Sequence, residues 1–392
     1  MLPDRAIARI LPRSISFSPD DLPPLPPVPA ASTRLYIGPV NWAGQGYQWA
    51  RAVRRFGNDA DAVNMAYRVG TEYGFPADYV VPVGVYSWSR EWQERQAAYV
   101  HENFTHVLVE AERILFAGAF RGSLPAEVRE LGRRGIGVAM LCHGSDIRLP
   151  SRHAARHADS PFRDGLWDLT PTLEKQARRN LALLESLGRP VFVSTPDLLV
   201  DVPGATWLPV VIEPDAWSTD QLPFQAHGLP VVAHAPSRAA VKGSDLVDPI
   251  LQQLDDEGLL RYRRVERVAA SDMPEVYRSS DIVLDQFRIG SYGVAACEAM
   301  AAGRVVVSHV SDDVRRHVLE ATGETLPIVE ATGANIEEVL RGIIADPAPY
   351  RRRAGDGPRF VTSVHNGLLS ARALDAFLSE PGGGPGAGRG GE

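Results

Sequence analysis

Short apolar runs alternating with longer amphipathic segments are the strongest constraint in this sequence. The runs Leu35–Val40, Ala62–Tyr67, Tyr79–Val83, His106–Val109, Gly137–Cys142 and Pro190–Val193 read as strands. Helix-length segments lie among them at Gly46–Phe56, Arg90–Asn103, Leu124–Arg134 and Thr172–Leu187. Short apolar strands followed by such helices are βα units, and βα units build a mostly parallel sheet covered on both faces. A second series starts near Leu229, with strands expected at Val231–His234, Leu260–Val265, Ile282–Asp285, Val305–Ser308 and Leu326–Val329. Its helices are expected at Asp245–Asp256, Pro274–Ser279, Val294–Ala301, Asn335–Ile344 and Phe360–Leu378. The break falls in Leu208–Phe224. The expected fold is α/β: two Rossmann-like, doubly wound parallel-sheet domains facing across a cleft. Open parallel sheets bind ligands at the carboxyl ends of their strands.

The 392 residues suffice for two such domains. Residues 1–32 read as an N-terminal arm and proline-rich linker, because SPDDLPPLPPVPAAS at 18–32 lacks backbone donors and favours extended chain. The first domain is expected over 33–210, a linker over 211–228 and the second domain over 229–358. A crossing helix follows over 359–380. The glycine-rich tail, 381–392, is expected to be disordered. No apolar stretch is long enough for a membrane span, and the N-terminus does not read as a secretory signal. The expected location is cytoplasmic. Arg5, Arg9 and Arg13 at helical spacing allow peripheral contact with the inner face of a membrane, although an ordinary arm is the plainer reading.

A net charge of -7, from 41 basic and 48 acidic residues, disfavours non-specific nucleic-acid binding. Two cysteines, Cys142 and Cys297, exclude a disulfide scaffold and a four-cysteine zinc site, and both read as small buried hydrophobes. Arginine is abundant, yet Lys175 and Lys242 are the only lysines. Lys175, in LEKQARRNLALLESL, reads as a solvated helix position.

Four segments carry chemistry. In GPVNWAGQGYQWARAVRR (38–55), a strand ends in a loop holding Gly44, Gln45 and Gly46 before a helix. Backbone amides there can face a diphosphate or a sugar oxygen, although a plain βα turn fits equally well. The segment is neither a G-x-G-x-x-G fingerprint nor a P-loop. In VAMLCHGSDIRLPSRH (138–153), a strand delivers His143 and Asp146 to its carboxyl end. His143 can orient a bound hydroxyl or exchange a proton with it, and Asp146 can fix its tautomer or bind an acceptor hydroxyl. His143, His153 and His157 make no zinc motif, and no metal is assigned.

The third segment is VVAHAPSRAAVKGSDLV (231–247), which places Arg238 and Lys242 beside a helix N-terminus. Two cations there suit a departing diphosphate. A compact ammonium retained where arginine otherwise prevails strengthens the case for Lys242. In the fourth, SSDIVLDQFRIGSYGVAACEAMAAGRVVVSHV (279–310), a strand leads to Gly290, Ser291, Tyr292 and Gly293, whose amides can meet phosphate or donor sugar. Glu298, among small helix residues, can accept both hydroxyls of a ribose. Trp42, Tyr47, Trp49, Tyr86 and Trp88 offer aromatic surfaces for an acceptor, against ordinary packing as the alternative; Trp42 and Trp88 are the chosen acceptor contacts.

Together these segments resemble the nucleotide-sugar-dependent glycosyltransferases of the GT-B fold, of the group-1, family-4 kind. The YG…E-A-M-A-x-G-x-V-V run, starting at Tyr292, is the most specific element. The resemblance implies a UDP-, GDP- or other nucleotide-sugar donor held by the second domain and an acceptor held by the first. The acceptor is a saccharide, a lipid-linked molecule or a small molecule. It implies no cofactor and no metal. It places Gly44 and Gly46 in the N-terminal glycine loop, His143 near the reacting carbon, Arg238 and Lys242 on the diphosphate and Glu298 on the ribose. The family's first glutamate, eight positions before Glu298, is replaced here by Gly290; Asp285 and Gln286 lie just upstream as substitutes. The implied activity is sugar transfer to a hydroxyl with retention, within carbohydrate biosynthesis. A nucleotide-sugar epimerase of the same architecture and a catalytically degenerate binding or scaffold protein are the alternatives.

Overall fold

The computed structural model describes residues 4–12, 15–20, 22–68, 74–225 and 228–380. Among the described residues twelve strands follow in chain order. The first sheet contains β1 (Thr33–Gly38), β2 (Ala60–Arg68), β3 (Tyr79–Pro82), β4 (His106–Glu110), β5 (Gly137–Cys142), β6 (Val191–Val193) and β7 (Thr206–Trp207). The second contains β8 (Val231–His234), β9 (Arg261–Arg264), β10 (Ile282–Leu284), β11 (Val305–Ser308) and β12 (Val329–Glu330). The strand orders are β3-β2-β1-β4-β5-β6-β7 and β12-β11-β10-β8-β9. β1 pairs in parallel with both β2 and β4, and β8 with both β9 and β10. Each sheet therefore reverses its winding once, between β1 and β4 in the first and between β8 and β10 in the second. Crossover connections diverge at such points and leave a crevice beyond the strand ends.

Most of the sequence-expected strands appear close to their places because they are mainly apolar runs with buried side chains; β9, RYRR, is partly exposed along its whole length. Val232, Ile282, Leu284, Val305 and Val307 form one core with Val247, Leu251 and Leu254 from the helix Ser244–Asp256. Ile336, Leu340 and Ile343 of the helix Ile336–Ala345 complete it. Local chemistry sets several helix ends. Ser89 accepts the Trp92 amide at 3.2 Å to start the helix Arg90–Asn103, and Gly323 at φ 72° ends Asp312–Thr322.

The chain packs as two units, the first comprising residues 1–143, 180–192 and 370–392, and the second 144–179 and 193–369. The sequence reading placed 33–210 in one continuous domain, whereas 144–179 and 193–210 pack with the second unit. In the first unit, the proline-rich arm is strapped down by side-chain donors. Arg95 Nη2 donates to the Pro23 carbonyl at 2.6 Å, and Asp4 accepts from Ser89 Oγ at 2.6 Å and from the Arg90 amide at 3.0 Å. The side chains of Arg9 and Arg13 and the tail 381–392 lie outside the described residues.

Several expectations need correction. The expected helix Phe360–Leu378 is two helices, Ala348–Val364 and Leu368–Ser379. The break holds Gly367 at φ 98°, and Asn366 Oδ1 accepts the Leu368 amide at 3.0 Å, an Asx-type start for the second helix. The strand expected at Leu326–Val329 shifts to Val329–Glu330. Helices Val83–Trp88, Pro150–Arg156 and Asp312–Thr322 were not anticipated, nor was β7.

Candidate functional site

The first unit's switch point lies where β1 and β4 end. Beyond Gly38 the backbone turns through Asn41 (φ 56°), Ala43 (φ 51°) and Gly44 (φ 72°) into the helix Gln45–Phe56. Asn41 holds this turn together, accepting the Tyr47 amide at 2.9 Å and donating to the Pro76 carbonyl at 2.8 Å. Glu110, the last residue of β4, is fully buried. Its Oε2 accepts both the Val40 and Asn41 amides at 3.1 Å. Gly46 is required by this arrangement. A Cβ on Gly46 would stand 2.5 Å from Asn64 Nδ2 and 3.2 Å from both Glu110 oxygens. The glycine loop read as a diphosphate or acceptor loop thus has a packing duty: it makes room for a buried carboxylate.

His143 follows β5 directly, with Nε2 3.4 Å from Glu110 Oε1. Its ring meets Trp42 edge-on, with centroids 5.0 Å apart, and Trp49 at 5.7 Å. Trp49 and Gln45 are buried, while Trp42 is 41% exposed and offers an open aromatic face. Trp88, the second tryptophan chosen from the sequence, is 45% exposed at the end of Val83–Trp88. Glu110 escaped the sequence reading. Its signal was a lone acid closing an apolar run, HVLVE, at a strand's carboxyl end.

At the second unit's switch point, β8 and β10 end side by side, with His234 in register with Leu284. Lys242 closes the short helix Ala239–Lys242, and its ammonium pairs with the fully buried carboxylate of Asp285, one residue beyond β10. Asp285 Oδ2 also accepts the Gly293 amide at 3.3 Å. Glu298, half-buried on the helix Val294–Ala301, faces the same group. Burial pushes its carboxyl up to about 8; the Lys242 charge opposes that rise and Asp285 adds to it. Arg238, one helical turn before Lys242, is exposed and lies over the Trp167 ring, 5.6 Å from its centroid.

The loop 290–293 is more internally committed than the sequence suggested. Ser291 and Tyr292 are buried, and the Tyr292 hydroxyl sits 3.2 Å from His365 Nε2. Gln286 Nε2 donates to the Ser291 carbonyl at 2.5 Å. Gly290 is left-handed, at φ 73°, and a Cβ there would lie 2.7 Å from His157 Cε1. The ring of His157, stacked on His153 with centroids 4.3 Å apart, thus occupies the space that a side chain at 290 would need. Asp146 is buried and accepts the Gly144 amide at 2.5 Å and the Ile147 amide at 3.2 Å, which makes it the fastener of its own turn. Arg288, buried and paired with Asp245 at 2.5 Å, is a further charged residue of this loop that no motif announced. Cys142 and Cys297 are buried and form no disulfide.

No protein-family model matches the sequence, and no curated protein does. Solved structures do match the fold. An α-glucosyltransferase in complex with UDP and a 13-mer DNA superposes with a TM-score of 0.57 at 11% identity, over 88% of this chain and 99% of that one. Sucrose-phosphate synthase from Thermosynechococcus elongatus gives 0.55 at 13% identity, over 88% and 98%. Anabaena HepE in complex with UDP-glucose gives 0.55 at 12% identity, over 89% and 100%. The protein therefore has two parallel-sheet α/β domains of the GT-B-like, Rossmann-like kind.

Proposed function

We propose that the protein is a glycosyltransferase that moves a sugar from a nucleoside-diphosphate sugar to a hydroxyl acceptor. The carrying observation is the Lys242–Asp285–Glu298 group at the switch point of the second sheet, with Arg238 one turn away. The fold shared with proteins bound to UDP and UDP-glucose supports the same reading.

In this reading Lys242 and Arg238 neutralise the departing nucleoside diphosphate. An ammonium released from Asp285 to a phosphate oxygen stabilises charge that develops only as the glycosyl bond breaks. The two cations take the electrostatic role that a metal ion plays elsewhere, so the reaction as proposed needs no cofactor. Glu298 holds the ribose. A carboxyl with a pKa of about 8 is largely protonated at neutral pH, so it offers one donor and one acceptor to vicinal hydroxyls. Its neutrality also spares the diphosphate a nearby negative charge.

We assign the acceptor side to the first unit, with Trp42 and Trp88 as open aromatic faces and His143 as the polar group. With retention, the acceptor hydroxyl attacks on the face the phosphate leaves, and the phosphate takes the proton. His143 then positions the sugar or steadies developing positive charge. The acceptor class is a saccharide, a lipid-linked molecule or a small molecule, and the proposed setting is carbohydrate biosynthesis in the cytoplasm.

The test is a panel of UDP- and GDP-sugars scored for thermal shift, donor hydrolysis and transfer. Lys242→Ala and Glu298→Ala should each strongly lower hydrolysis or transfer. Nucleotide-sugar binding left unchanged in both variants would sink the assignment.

A further inference from the structure

We propose that Trp167 is a positioning residue that holds the Arg238 guanidinium by a cation–π contact and leaves its charge and its donors available to the diphosphate of the donor. The use of the cation rests on the glycosyltransferase reading; its placement does not. Arg238 lies over the Trp167 ring, 5.6 Å from the centroid. Arg148, Arg152 and Arg288 of the same unit are each paired with an aspartate, whereas among the described residues Arg238 has no ion pair. The difference matters for an incoming anion. A carboxylate occupies the N–H fork of a guanidinium and offsets its charge, so a phosphate must displace it. An indole attracts the cation through its ring face and occupies none of its in-plane N–H donors.

The indole is itself held in place. Trp167 is buried, stacks on Phe162 with centroids 5.7 Å apart and packs with Leu173. Val241, between Arg238 and Lys242 in sequence, rests against the same cluster. The segment leading to the two rings is tied to the chain beyond β10 at two points. Arg288 Nη1 donates to the Asp159 carbonyl at 3.1 Å, and His153 Nε2 donates to the Ile289 carbonyl at 3.1 Å. The Arg238 carbonyl accepts the Lys242 amide at 3.0 Å, and the Lys242 carbonyl accepts the Phe287 amide at 3.0 Å. The aromatic platform, the short helix and the loop after β10 are thus packed together, with the two cations at opposite ends of one helical turn. Ordering a long side chain costs affinity when an anion binds; the stacked arginine is ordered beforehand.

The test is a double-mutant cycle on the full chain, read by calorimetric titration with UDP, GDP and inorganic pyrophosphate at low ionic strength. Trp167→Leu keeps apolar bulk against Phe162 and Leu173 but has no ring face. It should weaken binding of the tightest of these ligands by about two- to tenfold, the equivalent of ordering one long side chain. Trp167→Phe, which restores a ring, should recover most of that loss. In the Arg238→Gln background, Trp167→Leu should change affinity by less than about twofold. The same loss with and without Arg238 is what a purely structural indole gives, and it overturns the proposal. Undiminished affinity in Trp167→Leu, or Trp167→Phe as weak as Trp167→Leu, overturns it too. A second measurement needs no ligand and no variant of Trp167. An aromatic ring shifts protons over its face upfield, so the Arg238 side-chain resonances, identified through Arg238→Gln, should lie upfield of those of exposed arginines. Arg238 signals at ordinary positions overturn the stacking. A wild type that binds none of these ligands overturns the donor reading and the use proposed for the cation, while the resonances still decide whether Trp167 holds it.

Discussion

Beyond β1, Gly46 draws the backbone close enough for Glu110 to be buried against two amides; beyond β10, left-handed Gly290 brings the chain against the ring of His157. The two switch points share the same reversal of winding, and in each a glycine lies against a polar side chain, fully buried Glu110 in the first and half-buried His157 in the second. They differ in charge. The first pairs the Glu110 carboxylate with an imidazole and two indoles, while the second gathers an ammonium and two carboxyls. Topology thus fixes where a ligand can sit, and the residues at the strand ends fix what kind of ligand it is. A charged group suits a diphosphate and its ribose. An aromatic and imidazole group suits a sugar face or a neutral hydroxyl compound.

The sharpest way to break this contrast is to remove the ammonium. Lys242→Ala should lower transfer by about 10²–10³, the loss expected for one preorganised electrostatic partner of a leaving group. Turnover measured at saturating donor checks it. A loss of less than about tenfold would make the second switch point a structural ion pair. In that case the charge contrast between the two regions would say nothing about ligands.

The two glycines should differ next. Gly290→Ala carries left-handed strain of about 1–2 kcal/mol and, against His157, an overpacking cost of about 1–3 kcal/mol. Gly46→Ala carries only overpacking, against Asn64 and Glu110, of about 1–3 kcal/mol. Urea denaturation should rank Gly290→Ala as the less stable. Adding His157→Ala should restore the overpacking part and leave the strain. Equal costs, or no recovery in the double variant, would mean that the loop at 290 simply moves aside.

A smaller effect comes from Glu298. Its pKa is raised from an ordinary 4.5 to about 8, so between those values the folded protein binds a proton that the unfolded chain does not. Stability contributed in that way is present at low pH and is lost as pH rises through the window. The wild-type melting temperature should therefore fall more steeply than that of Glu298→Gln between about pH 5 and 8. Parallel curves would place the carboxyl in water and weaken its role with the ribose.

How much of this was legible depended on whether a contact is local in sequence. Strands made of mainly apolar runs were the legible ones, and Val231–His234, Val305–Ser308 and Gly137–Cys142 fall on their expected residues. Arg238 and Lys242 were legible because one short helix presents both. Glu110 was not: its partners Val40, Asn41 and His143 lie 70, 69 and 33 positions away, and only the β1–β4 and β4–β5 pairings bring them together. His157 was hidden for the same reason, since it meets Gly290 across more than a hundred residues. The helix break at His365–Gly367 was overlooked although Asn366 and Gly367 carried a turn signal.

The scarcity of lysine supplies the smallest expected effect and the control for the largest. Lys175 lies exposed on the helix Thr170–Leu187, with no part in either switch point. An exposed, solvated side chain away from caps and buried networks changes stability by no more than about 0.5 kcal/mol when truncated. Lys175→Ala should leave both the urea midpoint and the transfer rate where they are. If it does and Lys242→Ala does not, the retention of a lysine at 242 reflects its place at the second sheet's switch point. If the two variants behave alike, lysine scarcity is a habit of composition, and Lys242 keeps only what its pairing with Asp285 earns it.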